Sequence, residues 1–363
     1  MLTLATLGGK QNYASAINNR GQVTGFSYLK GKKVEHAELW RSYRAVDLGT
    51  LGGPNSAVVW TNHNHSTHGQ FVGDSEVSRT DPYGEDFCGL NIYTSHACLG
   101  FSWRSGKMTP LPNTLGGNNA RASDVNDRGE IVGTAETDTK DPSCRHGQVF
   151  DYYGVIWQPN GKVVTLPPLS GDTRTVAQAI NRSGQVVGSS GLCNVGAYNV
   201  EAHAVLWQNG STINLGSLGG KYFNVAYDIN DHGQVVGHSD LSGDRNTHAF
   251  LWQNGTMTDL GTLPGDTDSY AYGINDKGQV VGASCSPLCR GFLWQNGTMT
   301  DLNSLIRLDG FHHFFFIPSA SDINNSGQIT GTALAGTGIQ CCARAFVMLP
   351  GRKAAALAGP HRL

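Results

Sequence analysis

Gly273–Gly282 reads GINDKGQVVG. The same string returns as AINNRGQVTG ending at Gly25, DVNDRGEIVG at Gly133, AINRSGQVVG at Gly188, DINDHGQVVG at Gly237 and DINNSGQITG at Gly331, with a divergent seventh copy, THGQFVG, at Gly73. Working outward, a second string, FLWQNGTMTDL around Trp294, has counterparts at Trp40, Trp103, Trp157, Trp207 and Trp252, with Met348 in that place in the last copy. A variant of LGTLGG or LGTLPGD follows most copies. Self-similarity at this period is the mark of a repeat architecture.

Each unit predicts four short strands. YAYGI alternates apolar and polar positions and runs into Asn275-Asp276-Lys277-Gly278, a turn string whose glycine supplies a positive φ. QVVGAS is the second strand, GFLWQ the third, Asn296-Gly297 a two-residue hairpin turn and TMTDL the fourth. Seven four-stranded units of about 50 residues predict an all-β chain folded as a seven-bladed β-propeller. A solenoid is the other architecture such repeats can build, but no capping repeat is apparent. The whole chain, 1–363, reads as one propeller domain. Ring closure has two candidates. LTLATLGG at the start matches the DLGTLGG end of a fourth strand, and the segment from Met348 through RKAAAL, residues 352–357, also fits. Use of either removes the open sheet edge that invites aggregation.

Composition narrows function by exclusion. Of 363 residues, 48 are Gly and 13 Pro, a density that works against helices, and the 39% hydrophobic content with only 15% charged residues works against disorder. The net charge of -2 provides no field for nucleic acid or anionic lipid. No apolar run approaches the roughly 20 residues of a membrane span. No leader is visible, since a repeat motif begins almost at Met1, as in a trimmed mature chain. A monomer is expected. GxSxG, Walker and dinucleotide-binding strings are missing from the sequence.

The repeats resemble the HAF-repeat family of predicted extracellular bacterial proteins. Nearly the whole chain is covered. The namesake residues read His248-Ala249-Phe250, beside DLGTL and GINDKGQVVG. Other copies vary, as His36-Ala37-Glu38 and His203-Ala204-Val205, with Arg290 and Arg344 in place of the histidine. The resemblance implies secretion and a repeat fold; it carries no chemistry and no catalytic residue.

In a four-stranded meander, turns one-two and three-four share one face, and loops two-three and four-one the other. The first face is uniform. The second varies, from 12 to 30 residues between the repeat glycine and the Trp position, and variable loops on a constant scaffold are where binding sites gather. All eight cysteines fall on the variable face, outside the strand patterns. Cys88–Cys98 and Cys285–Cys289 read as local disulfide rings and Cys144–Cys193 as a link between blades; Cys341 and Cys342 could form a vicinal disulfide or pair elsewhere. Zinc is the competing reading, although no C-x2-C spacing is present. Disulfides imply an oxidising compartment, extracellular or periplasmic.

Histidines and aromatics crowd the same face: His36, His96, His146, His203, His238 and His248, with Tyr83, Phe87, Tyr93, Tyr152, Tyr153 and Tyr198. Groups that titrate near neutrality, gathered asymmetrically, suggest one ligand site. The first functional reading is carbohydrate processing in the manner of a polysaccharide lyase. His146, His203 or His248 would abstract a proton α to a uronate carboxyl, with Tyr152, Tyr153 and Arg145 as partners. His312 and His313 in the FHHFFF run, Tyr93, Asp266 and Asp268 would bind ligand. Hydrolysis by paired carboxylates among Asp172, Asp266 and Asp268 is the variant. The second reading is a binding propeller for a polysaccharide, oligosaccharide or protein. The repeated strand-three histidine also has a structural reading, as a donor capping loop carbonyls. The Trp series reads as core packing between blades.

On the uniform face one departure stands out. His63-Asn64-His65-Ser66-Thr67-His68 replaces a tight turn. H-x-H-x-x-H offers imidazoles to a divalent metal, while a solvated loop insertion is the plainer expectation. The cofactor is otherwise undetermined; a redox group such as a quinone in the funnel is a further possibility.

Overall fold

The structure, a computed structural model, describes residues 1–31, 33–59, 63–92, 94–142, 144, 147–193, 201–306, 314–337 and 340–350. Blade six shows how the repeat folds. Asp268–Ile274, Val280–Cys285, Cys289–Gln295 and Thr298–Asp301 form an antiparallel meander in chain order. The first turn is held by one side chain: Asn275 Oδ1 accepts the N–H groups of Lys277 and Gln279 at 3.0 and 3.1 Å, and Gly278 takes φ +70°. The repeat glycine has a different cause. The register slips from Ala271↔Gly282 to Gly273↔Val281, and this bulge brings the Tyr270 carbonyl so close that a Cβ on Gly282 would lie 1.9 Å from it.

Seven such sheets, numbered here as blades one to seven from Gly25 to Gly331, close into a seven-bladed propeller. Six are continuous in sequence. In blade seven, Phe314–Ile323, Ile329–Thr337 and Gln340–Met348 are joined by Leu2–Thr3 as the outer strand, with Leu2↔Val347 and Thr3↔Phe346. The amino terminus therefore closes the ring. Leu4 N donates to Ala345 O at 2.9 Å, as Leu260 N does to Ala249 O in blade five, so the closing strand keeps the register of an ordinary fourth strand. Residues 352–357, the rival segment, lie outside the described residues.

The core lies between blades rather than within them. Leu206 and Leu215 of blade four pack with Ile229, Val235 and Phe250 of blade five. The repeated Trp belongs to this packing and ties its blade to the one before. Trp157 and Trp207 Nε1 donate to the carbonyls of Pro112 and Pro167, each at 2.8 Å, and Trp40 to Ala5 at 2.7 Å. Ala5 follows the closing strand, so blade one grips the amino terminus just as its fellows grip their neighbours.

Cys88–Cys98, Cys144–Cys193 and Cys285–Cys289 are disulfides, with Cα separations of 6.0, 5.1 and 3.9 Å. Two expectations about cysteine need correction. Strands run further into the variable face than the sequence pattern shows, so Cys98, Cys285, Cys289, Cys341 and Cys342 lie within strands. Cys342 is a free thiol. Cys341 and Cys342 occupy successive positions of one strand, opposite Gly336 and Ala335.

Candidate functional sites on the two faces

On the variable face, the strand-three histidines are each held against a carboxylate. His36 Nδ1 lies 3.0 Å from Asp47 and His248 Nδ1 2.9 Å from Asp259, each pair eleven residues apart. Arg290 replaces the histidine in blade six and reaches Asp301 at 3.4 Å and Asp266 at 2.9 Å. In blade four the position eleven residues on is Asn214, and His203 turns instead to Asp172 at 3.1 Å. The partner is thus a carboxylate, not the loop carbonyl expected. The Asp259 pair outweighs burial and raises the His248 pKa.

The other predicted loop residues are scattered. Tyr152 is buried against Cys193 and Ala202. Tyr153 stands beside it in the same strand, opposite Ala135. Asp266 is engaged by Arg290. Arg145, His146, Tyr93, His312 and His313 lie outside the described residues. His203 and His248 sit on separate blades, each with its own carboxylate partner.

Asp268 does line a cavity. Between blades five and six a space of about 440 Å³ is bounded by Tyr222, Phe223, Asp240, Asp244, Arg245, Thr247 and Tyr270 together with Asp268. Thr247 links the two inner carboxylates: its Oγ1 donates to Asp240 at 2.6 Å and its N–H to Asp268 at 2.9 Å. Burial raises the Asp240 pKa, Asp244 and Asp268 add to the rise, and the bonds from Thr247 and Phe223 oppose it. Tyr222 is 39% exposed at the rim. Beneath, His238 is enclosed by the rings of Phe223, Tyr227 and Tyr270, with centroids at 4.1, 5.2 and 5.2 Å. Neither ring nitrogen has a hydrogen-bond partner, and burial lowers its pKa to about 3.

The uniform face carries the second candidate, on the propeller axis. The repeat asparagines form a hydrogen-bonded series around the axis: Nδ2 of Asn126, Asn181, Asn230 and Asn275 each donates to the carbonyl of the next blade's asparagine, and Asn324 reaches Asn18 at 3.0 Å. In blade two Ser66 supplies the carbonyl that Asn18 reaches at 2.9 Å. Ser66 therefore occupies the asparagine place, and the inserted His63 and His65 are carried onto the axis.

Three buried carboxylates meet them there. Asp124, Asp228 and Asp322 stand two residues before the repeat asparagine in blades three, five and seven, where Ala16, Ala179 and Gly273 stand in blades one, four and six. Each accepts its own blade's next N–H and the N–H of the following blade; for Asp228 these are Ile229 at 2.7 Å and Ile274 at 2.8 Å. His65 Nδ1 lies 2.8 Å from Asp124 Oδ2, and its Nε2 lies 3.4 Å from Asp228 Oδ1. His63 is 1% exposed, and neither of its ring nitrogens has a partner. One nitrogen each from His63 and His65 and one Asp228 oxygen lie within 4.8 Å of one another.

Burial disfavours a charged His65, yet Asp124 and Asp228 outweigh it and hold the pKa well above the ordinary histidine value. Burial pushes Asp322 up to about 6; Asp228 adds to this, and the two imidazoles oppose it. The solvated-loop expectation for this segment is therefore corrected, because the insertion plugs the axis. His68 does not join the group. Thr67 N binds Asp127 at 2.6 Å, resuming the turn, and His68 is left outside with Nδ1 3.0 Å from the Asp127 carbonyl. A second grouping, Asp141, Cys144 and Cys193, has its sulfurs in a disulfide and offers no thiolate.

No protein family and no curated relative matches the chain. Among solved structures it is similar to a gluconolactonase of Xanthomonas campestris, at 12% identity over 69% of this chain and 79% of that one, with a TM-score of 0.38. It is also similar to a puromycin-hydrolyzing peptidase of Mycobacterium tuberculosis, at 10% identity over 99% of this chain and 57% of that one, TM-score 0.47. A third is a GH74 enzyme of Niastella koreensis, at 10% identity over 93% and 59%, TM-score 0.38. Likeness of this degree bears on fold alone, and neither site is inferred from it.

Proposed function

We propose that the chain is a carbohydrate-active propeller that takes one oligosaccharide or polysaccharide segment into the cavity between blades five and six. The observation that carries this reading is the convergence of aromatic rings and carboxylates in that cavity. Tyr222 offers an exposed face to the C–H side of a sugar ring, Asp244 and Asp268 offer acceptors to its hydroxyls, and Arg245 offers donors. The three disulfides support an extracellular or periplasmic setting. Among the described residues no helix is long and apolar enough to cross a membrane.

Glycoside hydrolysis is the catalytic form of this reading, favoured by one observation. Asp240 and Asp268 share Thr247 but differ in surroundings, burial raising the Asp240 pKa, and two nearby carboxyls in unequal environments are the pairing glycosidases use. Elimination at a uronate has less support, since neither His203 nor His248 is among the residues that line the cavity.

The test is binding and turnover on a panel of neutral and acidic polysaccharides, with wild type, Tyr222→Ala and Asp268→Asn. Retention in affinity gels that weakens by about tenfold in both variants, the scale of one lost contact of about 1.4 kcal/mol, supports the site. New reducing ends lost in Asp268→Asn establish hydrolysis. Ultraviolet absorbance of unsaturated uronate would turn the assignment to the loop histidines. No retention and no cleavage with any polymer would overturn the carbohydrate reading.

A further inference from the structure

We propose that His63, His65 and Asp228 bind a divalent first-row transition-metal ion on the propeller axis, with Asp124 orienting His65 from behind. The site is independent of the carbohydrate cavity, which lies on the opposite face.

His65 Nδ1 faces two acceptors, Asp124 Oδ2 at 2.8 Å and the Ile180 carbonyl at 3.4 Å. That nitrogen therefore carries a hydrogen, and the second nitrogen, Nε2, points at Asp228 Oδ1, where it can hold either a metal ion or a second proton. Two acceptors facing each other at 3.4 Å need a cation or a proton between them. A carboxylate behind the imidazole of a metal ligand is the usual way to fix its tautomer and raise its basicity.

His63 adds the second observation. A buried imidazole with both nitrogens unpartnered costs desolvation energy with nothing to offset it. One of those nitrogens falls within the same 4.8 Å group, so an ion there would satisfy it. The dimensions agree. With metal–ligand bonds of about 2.0–2.1 Å, two ligand atoms of a tetrahedral site lie about 3.3–3.4 Å apart, which matches the His65–Asp228 separation. Two imidazole nitrogens and one carboxylate suit zinc and its neighbours; calcium, which takes six to eight oxygens, does not fit. Asp322 is close enough to interact with both imidazoles and Asp228 and supplies further negative charge. Axial backbone bonds hold the ligands in place: His63 N donates to Ser123 O at 2.8 Å and His65 N to Asp124 Oδ1 at 3.2 Å.

The experiment uses the full chain, disulfides intact, stripped with a chelator and reloaded with Zn²⁺ or Co²⁺. One equivalent retained through desalting, with a thermal midpoint that rises with Zn²⁺ concentration, is the expected result. His63→Leu and His65→Gln should each weaken Zn²⁺ binding by about tenfold or more, and His68→Leu, on the exposed end of the same segment, should leave it unchanged. Pulsed EPR on the Cu²⁺-loaded wild type needs no variant and should resolve two coordinated imidazoles. Fewer than two imidazoles, no retained metal, or equal loss in His68→Leu would overturn the proposal. Absence of retained metal would leave a protonated His65 as the cation between the carboxylates.

Discussion

Asn324 Nδ2 donates to the backbone carbonyl of Asn18 at 3.0 Å, across 306 residues of sequence. This bond carries the axial asparagine series from blade seven to blade one. The outer closure by Leu2–Thr3 and the inner closure by asparagine therefore act at opposite edges of the same seam. Each asparagine does two jobs. Its Oδ1 binds two N–H groups of its own turn, and its Nδ2 reaches the next blade. Asn275→Ala would orphan the N–H groups of Lys277 and Gln279 and the carbonyl of Asn324. The Asn324 carbonyl, which is buried, would cost about 1–3 kcal/mol unpaired, and the two turn N–H groups, which water can reach, less. Urea denaturation should show a loss of about 2–4 kcal/mol, and a loss below about 0.5 kcal/mol would mean that the series is not stabilising.

Glu38 stands two residues before Trp40, where Phe250 and Phe292 stand in blades five and six. It is 0% exposed, and no hydrogen bond of normal geometry reaches either oxygen. Burial pushes its pKa up to about 8; Asp47 adds to the rise, and the nearby Ser27 hydroxyl relieves it only in part. The folded state keeps the proton to about pH 8, whereas the unfolded chain loses it near 4.5. Stability from this group is thus complete below pH 4.5 and is lost as pH rises toward 8. Each displaced pKa unit is worth about 1.4 kcal/mol. Glu38→Gln should accordingly be more stable than wild type by a few kcal/mol at pH 8 and nearly equal to it at pH 4.5. Parallel pH–stability curves for the two proteins would disprove the assignment.

The disulfides should rank by the chain they enclose. Cys144 and Cys193 are 49 residues apart, Cys88 and Cys98 10, and Cys285 and Cys289 4. Loop-closure entropy then gives about 4 kcal/mol for the first and about 2 kcal/mol for the last as upper values. Cys193→Ser should lower the thermal midpoint most and Cys289→Ser least. The reverse order in calorimetry would show that native packing, not chain entropy, sets their worth.

Recurrence explains which parts of this architecture could be read in sequence. Gly282, Trp294 and the Asn275 turn each return at fixed intervals, so blade number, strand order and the inter-blade role of Trp follow from pattern alone. The three disulfides were equally open to inference, because loop position limits partners. The axial cluster was harder. H-x-H spacing in a loop fixes no geometry, and nothing local shows that Ser66 takes the asparagine place. A signal was nonetheless present: aspartate two residues before the repeat asparagine at 124, 228 and 322. The eleven-residue step from His36 to Asp47 and from His248 to Asp259 was another, and it marks those histidines as paired. Tyr222 and Asp240 gave no such sign, since the cavity joins strand ends of two blades to the non-repeating segment around Asp244, and no spacing in the sequence brings these together.

His238 sets the acid limb of stability, as Glu38 sets the alkaline one. Its ring sits among Phe223, Tyr227 and Tyr270 with no polar partner, and burial lowers its pKa to about 3 from an ordinary 6.5. The folded state holds it neutral, while the unfolded chain takes up a proton below pH 6.5. Stability from this group is therefore present above 6.5 and is lost as pH falls toward 3. A wild-type chain should show a stability maximum between these two limbs. His238→Phe keeps the ring packing and removes the proton site, so urea midpoints between pH 6.5 and 4 should fall less steeply than in wild type. At pH 7.5 the two proteins should differ by less than about 1.5 kcal/mol, the usual cost of a near-isosteric core exchange. An unchanged acid limb in the variant would show that the carboxylates alone govern acid unfolding, with His238 protonated at no cost in the fold.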